Sequence, residues 1–145
     1  MATDLEIVNG LDWVGKNEDR LLTSKNRALE LATTLIECVL ILAGSVQAYS
    51  DREWWLIGSE VDWIGLTHEY TLNEIFTQVI PFPEAGDNSM RAEILLYCFA
   101  RDVAAYAQGE LTIIKGEVDE LEVINGLKDR SDVLRWVLFL SLIHI

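Results

Sequence analysis

Positive charge is scarce in this chain. Eleven lysines and arginines stand against 24 aspartates and glutamates among 145 residues, a formal charge of −13. A nucleic-acid backbone or an anionic membrane needs a cationic face, so neither is the expected partner. Cysteine is nearly absent too. Cys38 and Cys98 both lie in apolar runs, which suits buried thiols rather than a disulfide framework. The chain opens Met1-Ala2-Thr3-Asp4-Leu5-Glu6, with acids where a signal peptide carries cations. The greasiest stretch, Leu35 to Ala43, contains Glu37 and is too short to span a bilayer. The expectation is a reduced, cytoplasmic protein. Motifs are missing as well: the chain has no GxGxxG, GxxxxGK[ST] or GxSxG, no zinc spacing of Cys or His, and no ExxH pair. His68 beside Glu69 reads as a solvated histidine more readily than as a general base.

What the chain does have is apolar content, at 50% hydrophobic residues, enough for a real core. Thr3-x-x-Glu6, Ser50-x-x-Glu53 and Thr71-x-x-Glu74 have the capping-box form that opens helices. From Ser24 to Tyr49, Ala28, Ala32, Leu35, Ile36, Val39, Leu42, Ala43 and Val46 form one helical stripe. Trp54, Ile57, Val61 and Ile64 alternate at spacings of three and four, and a short helix is expected from about Leu72 to Ile80, stopped by Pro81 and Pro83. Pro81 to Ser89 reads as a loop, and an apolar helix follows from about Met90. Leu111, Ile114, Val118, Leu121 and Ile124 make a heptad seam, and a last helix starts near Asp129 and runs through Trp136. The expected fold is therefore all-α, a helical bundle. A local β-hairpin is the competing reading, because Asn9-Gly10, Gly58-Ser59 and Asn125-Gly126 are good hairpin turn pairs.

Five tryptophans stand at positions 13, 54, 55, 63 and 136. Core packing is their ordinary role. Glu53 to Met90, however, holds seven carboxylates, no lysine or arginine, and Trp54, Trp55 and Trp63. Such a segment is either a solvated face or a surface for a basic partner.

Several segments share an order and spacing. They are Tyr70-Thr71-Leu72-Asn73-Glu74-Ile75, Pro81-Phe82-Pro83-Glu84-Ala85-Gly86-Asp87-Asn88-Ser89, Leu95 to Asp102, Ile113-Ile114-Lys115-Gly116-Glu117 and Asp129 to Trp136. In that order they resemble the MazG-like nucleotide pyrophosphohydrolases, over about residues 70–138. The resemblance implies an all-α enzyme, intact or degenerate, that cuts nucleoside triphosphates to monophosphate and pyrophosphate. It implies Mg²⁺ held by carboxylates on two packed helices, and a homo-oligomer. Carried over by position, the acids are Asp102, Asp129 and Asp132, catalytic and metal-ligating, with Lys115 toward the substrate. Ala105 stands where the family has a fourth acid.

The expected organisation is then an unassigned helical region, 1–66, a MazG-like helical domain, 67–139, and a tail, 140–145, that resembles a translated sequencing adapter and reads as non-native, His144 included. A second functional reading is an acidic helical binding or inhibitor protein, using the Glu53–Met90 surface with Trp54, Trp55 and Trp63 against a basic protein. The enzyme needs Asp102, Asp129 and Asp132 in one pocket. The binder needs the acids and tryptophans exposed together.

Overall fold

A computed structural model describes residues 10–16, 21, 26–51, 54–66, 69–86, 89–127, 130 and 132–141. In chain order the elements are α1 (Gly10–Lys16), α2 (Arg27–Ala43), β1 (Gln47–Asp51), β2 (Trp54–Ser59), α3 (Leu72–Thr77), a 3-10 turn (Pro83–Ala85), α4 (Glu93–Phe99), β3 (Ala100–Ala107), β4 (Glu110–Lys115), α5 (Glu120–Leu127) and β5 (Arg135–Ser141). The expected all-α bundle is overturned: the fold is α/β, built on a five-stranded antiparallel sheet in the order β1-β2-β5-β3-β4.

The reason lies in short apolar runs that fit both periods. Trp54 and Ile57 are three apart, as on a helix, but Trp55 and Ile57 also alternate with Trp54 and Leu56, and the alternation wins. The sheet places Trp55, Ile57, Val103, Val137 and Phe139 on one face, against α2, α3 and α4. Trp54, Leu56, Tyr106, Trp136 and Leu138 lie on the other, against Val123 and Leu127 of α5. A strand buried on both faces needs no polar alternation, so β5, Arg-Trp-Val-Leu-Phe-Leu-Ser, carries no strand signature and passes for a helix. The apolar helix expected from Met90 ends at Phe99 and becomes β3. The heptad seam divides into β4 and α5.

Hairpins are present, but not at the expected turns. Gly58-Ser59 lies inside β2 and Asn125-Gly126 inside α5, while Asn9 is outside the described residues. The β3–β4 hairpin turns instead at Gln108-Gly109, with φ of 52° and 81°. Both central residues of a two-residue loop then have positive φ, which matches the twist of the flanking strands. Gly58 serves packing: a Cβ there would come within 2.6 Å of the Trp136 indole and 2.7 Å of Val133.

Two expected helices are present. In α2, Asn26 Oδ1 accepts the N–H of Leu29, Gly44 closes the other end at φ 80°, and Leu31, Ala32, Leu35, Cys38 and Val39 are the buried stripe. In α3 the Thr71–Glu74 capping box is complete in both directions. The Thr3–Glu6 box and Glu53 lie outside the described residues, and Ser50 is in β1. The expected boundary between residues 66 and 67 runs through one sheet, since β2 pairs with β5. Leu140 and Ser141, expected in the tail, belong to β5 and pair with Trp54 and Ala100; residues 142–145 lie outside the description. Among the described residues no helix is long and apolar enough to cross a membrane.

Candidate functional site

Asp102 lies on β3, not on a helix, and is buried. Its Oδ1 accepts the backbone N–H of Glu117 at 3.0 Å, and its Oδ2 is 3.7 Å from Arg101 Nε. It thereby holds the turn after β4, where Gly116 has φ 78° and a Cβ would collide with the Asp102 carboxylate. Ala105, expected one helical turn beyond and on the same side, points to the opposite face, because side chains alternate along a strand. Lys115 donates to the carbonyls of Tyr97 at 2.6 Å and Ala100 at 2.8 Å. These carbonyls stand in the last turn of α4 and at the residue just past it, so the lysine caps that helix end. Burial lowers its pKa, against the opposing pull of Cys98 and Asp102.

Asp132 is exposed, in the loop before β5, and accepts from Gln47 Nε2 at 2.9 Å. Asp129 lies outside the described residues. Asp102 is level with Leu140 and Ala107 with Arg135. Five residues of β5 separate those levels, about 17 Å at the ordinary rise per residue, and Asp132 lies beyond the far one. Asp102 and Asp132 are thus at opposite ends of the sheet and do not fit one Mg²⁺. Among the described residues no three His, Cys, Asp or Glu side chains converge on a metal position.

The tryptophans expected on one binding surface are dispersed. Trp63 is fully buried, and Trp54 and Trp55, as neighbours on a strand, face opposite sides of the sheet. The acids of the same region divide by task. Asp62 takes both nitrogens of a bidentate Arg135 pair at 2.9 and 3.1 Å. Burial raises its pKa, but the Arg135 hydrogen bonds and the N–H groups of Gly65 and Ile64 outweigh it, and the carboxyl sits below its usual range. Glu74 caps α3. Glu60, Glu69 and Glu84 are exposed, while Glu53 and Asp87 lie outside the described residues.

A buried polar cluster that sequence reasoning missed lies beneath this surface. Glu93 is fully buried and receives Arg91 Nε at 3.1 Å, Arg91 Nη2 at 2.6 Å and Trp63 Nε1 at 3.0 Å. The Cys38 thiol of α2 is buried close enough to Arg91 and Glu93 to feel both charges. Burial first, then the Glu93 carboxylate, push that thiol up to about 12, against weaker opposite pulls from the Ala92 N–H and Arg91. The one sequence signal was Arg91-Ala92-Glu93, two charges opening an apolar helix.

Above the cluster runs an open groove of about 800 Å³. Its floor is Trp63 and Arg91. Leu66, Glu69 and Tyr70 form one bank and Pro81, Pro83 and Glu84 the other. The Pro81–Ser89 loop closes on itself through Phe82 N–H to Ser89 O at 2.9 Å and Arg91 N–H to Ile80 O at 2.9 Å, so the second bank is a built wall. On the far side of that wall a hollow continues to Val79 and Trp13. Leu66 is 57% exposed, Trp13 43% and Val79 43%. No known protein family, curated protein or solved structure matches the chain.

Proposed function

We propose that this is an acidic α/β binding protein that engages a basic protein partner through the groove between Leu66, Glu69 and Tyr70 on one bank and Pro81, Pro83 and Glu84 on the other, in the manner of an inhibitor. The observation that carries the reading is the composition of that groove. It joins exposed apolar side chains to the carboxylates of Glu69 and Glu84, and the one guanidinium in its lining is already neutralised by Glu93. Apolar contact area supplies affinity, and the carboxylates and the overall charge of −13 draw in a cationic partner and favour its approach. The nucleotide-hydrolase reading needs acids on two facing helices, and Asp102 and Asp132 provide neither the helices nor the proximity.

The test uses a monomeric peptide rich in lysine and phenylalanine and its glutamate counterpart. The basic peptide is expected to bind saturably, more weakly as salt rises, and at least several-fold more weakly to Glu84→Lys and Leu66→Ser. Equal binding of both peptides, or binding indifferent to the two substitutions, contradicts the proposal.

A further inference from the structure

On the opposite face of the sheet, one arginine is held with unusual care. The Arg130 guanidinium lies over the Tyr49 ring, 4.0 Å from its centroid, and 6.0 Å from that of Trp136. The Tyr49 and Trp136 rings are themselves 5.9 Å apart at 49°. The Tyr49 hydroxyl donates to Gln47 Oε1 at 3.0 Å, and Gln47 Nε2 donates to Asp132 Oδ2 at 2.9 Å. Asp132 thus fixes the amide, the amide fixes the phenol, and the phenol ring carries the guanidinium. In a chain with more than twice as many acids as bases, no carboxylate pairs with Arg130 among the described residues. The nearby Asp132 is spent on Gln47. Trp136 Nε1, in the same aromatic group, is buried with no hydrogen-bond partner among the described residues.

Arg130 lines a cleft of about 260 Å³ between α5 and the sheet. Trp54, Leu56, Val123, Leu127 and Leu138 give it an apolar interior. Asp119 and Glu122 stand in the same lining. A guanidinium stacked on a ring keeps its planar fork of donors, the shape that takes a carboxylate through two parallel hydrogen bonds. The apolar interior asks for an apolar body on the ligand. The two lining carboxylates oppose a dianion more strongly than a monoanion, for which Arg130 supplies the compensating charge.

We infer that this cleft binds a monocarboxylate with an apolar or aromatic body, its carboxylate on Arg130 and its body between Trp54 and α5. Tyr49 and Asp132 are positioning residues for the guanidinium. The carboxylate comes either from a free organic acid or from the C-terminal residue of a peptide. This site is independent of the proposed groove: a failure here leaves the basic-peptide experiment untouched, and the reverse holds too.

The experiment titrates the protein with 3-phenylpropionate, its primary amide and phenylpropyl phosphate, and with a short peptide ending in phenylalanine as free acid or amide. Backbone and side-chain NMR shifts at Tyr49, Val123 and Leu127 are followed. The expected result is saturable binding of the carboxylate, at least tenfold weaker binding of the amide, and weaker binding of the phosphate dianion. Arg130→Gln should lose at least tenfold. Tyr49→Phe, which keeps the ring and removes only the hydroxyl, should lose several-fold. Binding of the free acid alone assigns a small molecule; equal loss on amidating the peptide assigns a chain terminus. Acid and amide binding alike on the unaltered protein overturns the inference even if Arg130→Gln fails to fold, and so does an Arg130→Gln variant that folds and binds unchanged.

Discussion

Glu93 accepts three hydrogen bonds while fully buried, and that defines its contribution. Removing one partner of a buried pair leaves the other charge uncompensated, which costs roughly 3–5 kcal/mol. Glu93→Ala, which also orphans the Trp63 indole N–H, is therefore expected to lower unfolding free energy by about that amount in urea melts. Replacing Arg91 and Glu93 together by methionine should cost less than Glu93→Ala alone, because no charge is then stranded. Cys38 adds a pH dependence. Its thiol ionises near 9.0 when unfolded and near 12 when folded, so the folded state holds the proton more tightly between those values. The stability this gives is complete below about pH 9 and is lost as pH rises toward 12. Cys38→Ala should flatten that alkaline limb of the stability profile, and a limb equally steep in the variant would contradict the assignment. At this scale the sequence was legible where a residue answers to its neighbours in the chain: the Thr71–Glu74 box and the buried thiol at Cys38 are both where expected, while Cys98, expected buried as well, is only half-buried. Asp102, carried over by position as a metal ligand, is instead a buried strand residue. Its partner, the N–H of Glu117, is fifteen positions away across a hairpin and has no trace in local pattern.

At the scale of elements, β5 is the central strand, and it was the hardest to recognise. Its signal is an apolar run with an aromatic every third residue, which a helix and a doubly buried strand produce equally. The proof of strand is its pairing with β2 on one side and β3 on the other. Gly58, read as a turn residue, is instead the space into which Trp136 packs. Gly58→Ala must move the indole or the strand, and overpacking of that kind costs about 1–3 kcal/mol. Thermal melts should show the loss, and an unchanged Tm would mean that β2 and β5 do not cross at this register. The pairing also gives the first two residues of the expected tail a place in the sheet. Because Leu140 and Ser141 pair with Trp54 and Ala100, replacing them by prolines should lower Tm by several degrees. α2 and α3 were legible because each carries its own cap and, in α2, a long amphipathic stripe.

For the whole molecule, thirteen net negative charges act in two directions. They repel one another across the folded surface, and they attract a basic partner. Salt screens both effects beyond about 10 Å at 0.1 M. Raising salt from 20 to about 200 mM should therefore raise Tm and weaken binding of the basic peptide, effects of opposite sign from one cause. The charge balance was read from the sequence alone. The groove was not, because its banks come from Leu66, Glu69 and Tyr70 and from Pro81, Pro83 and Glu84, and its floor from Trp63 and Arg91, residues brought together only by the fold. The measurement that tests the central proposal most directly is a two-dimensional NMR titration of the protein with the lysine–phenylalanine peptide. The account predicts shifts concentrated at Leu66, Glu69, Tyr70, Phe82 and Glu84, reversed by salt. Shifts spread evenly over the acidic surface, or concentrated away from those residues, would contradict it.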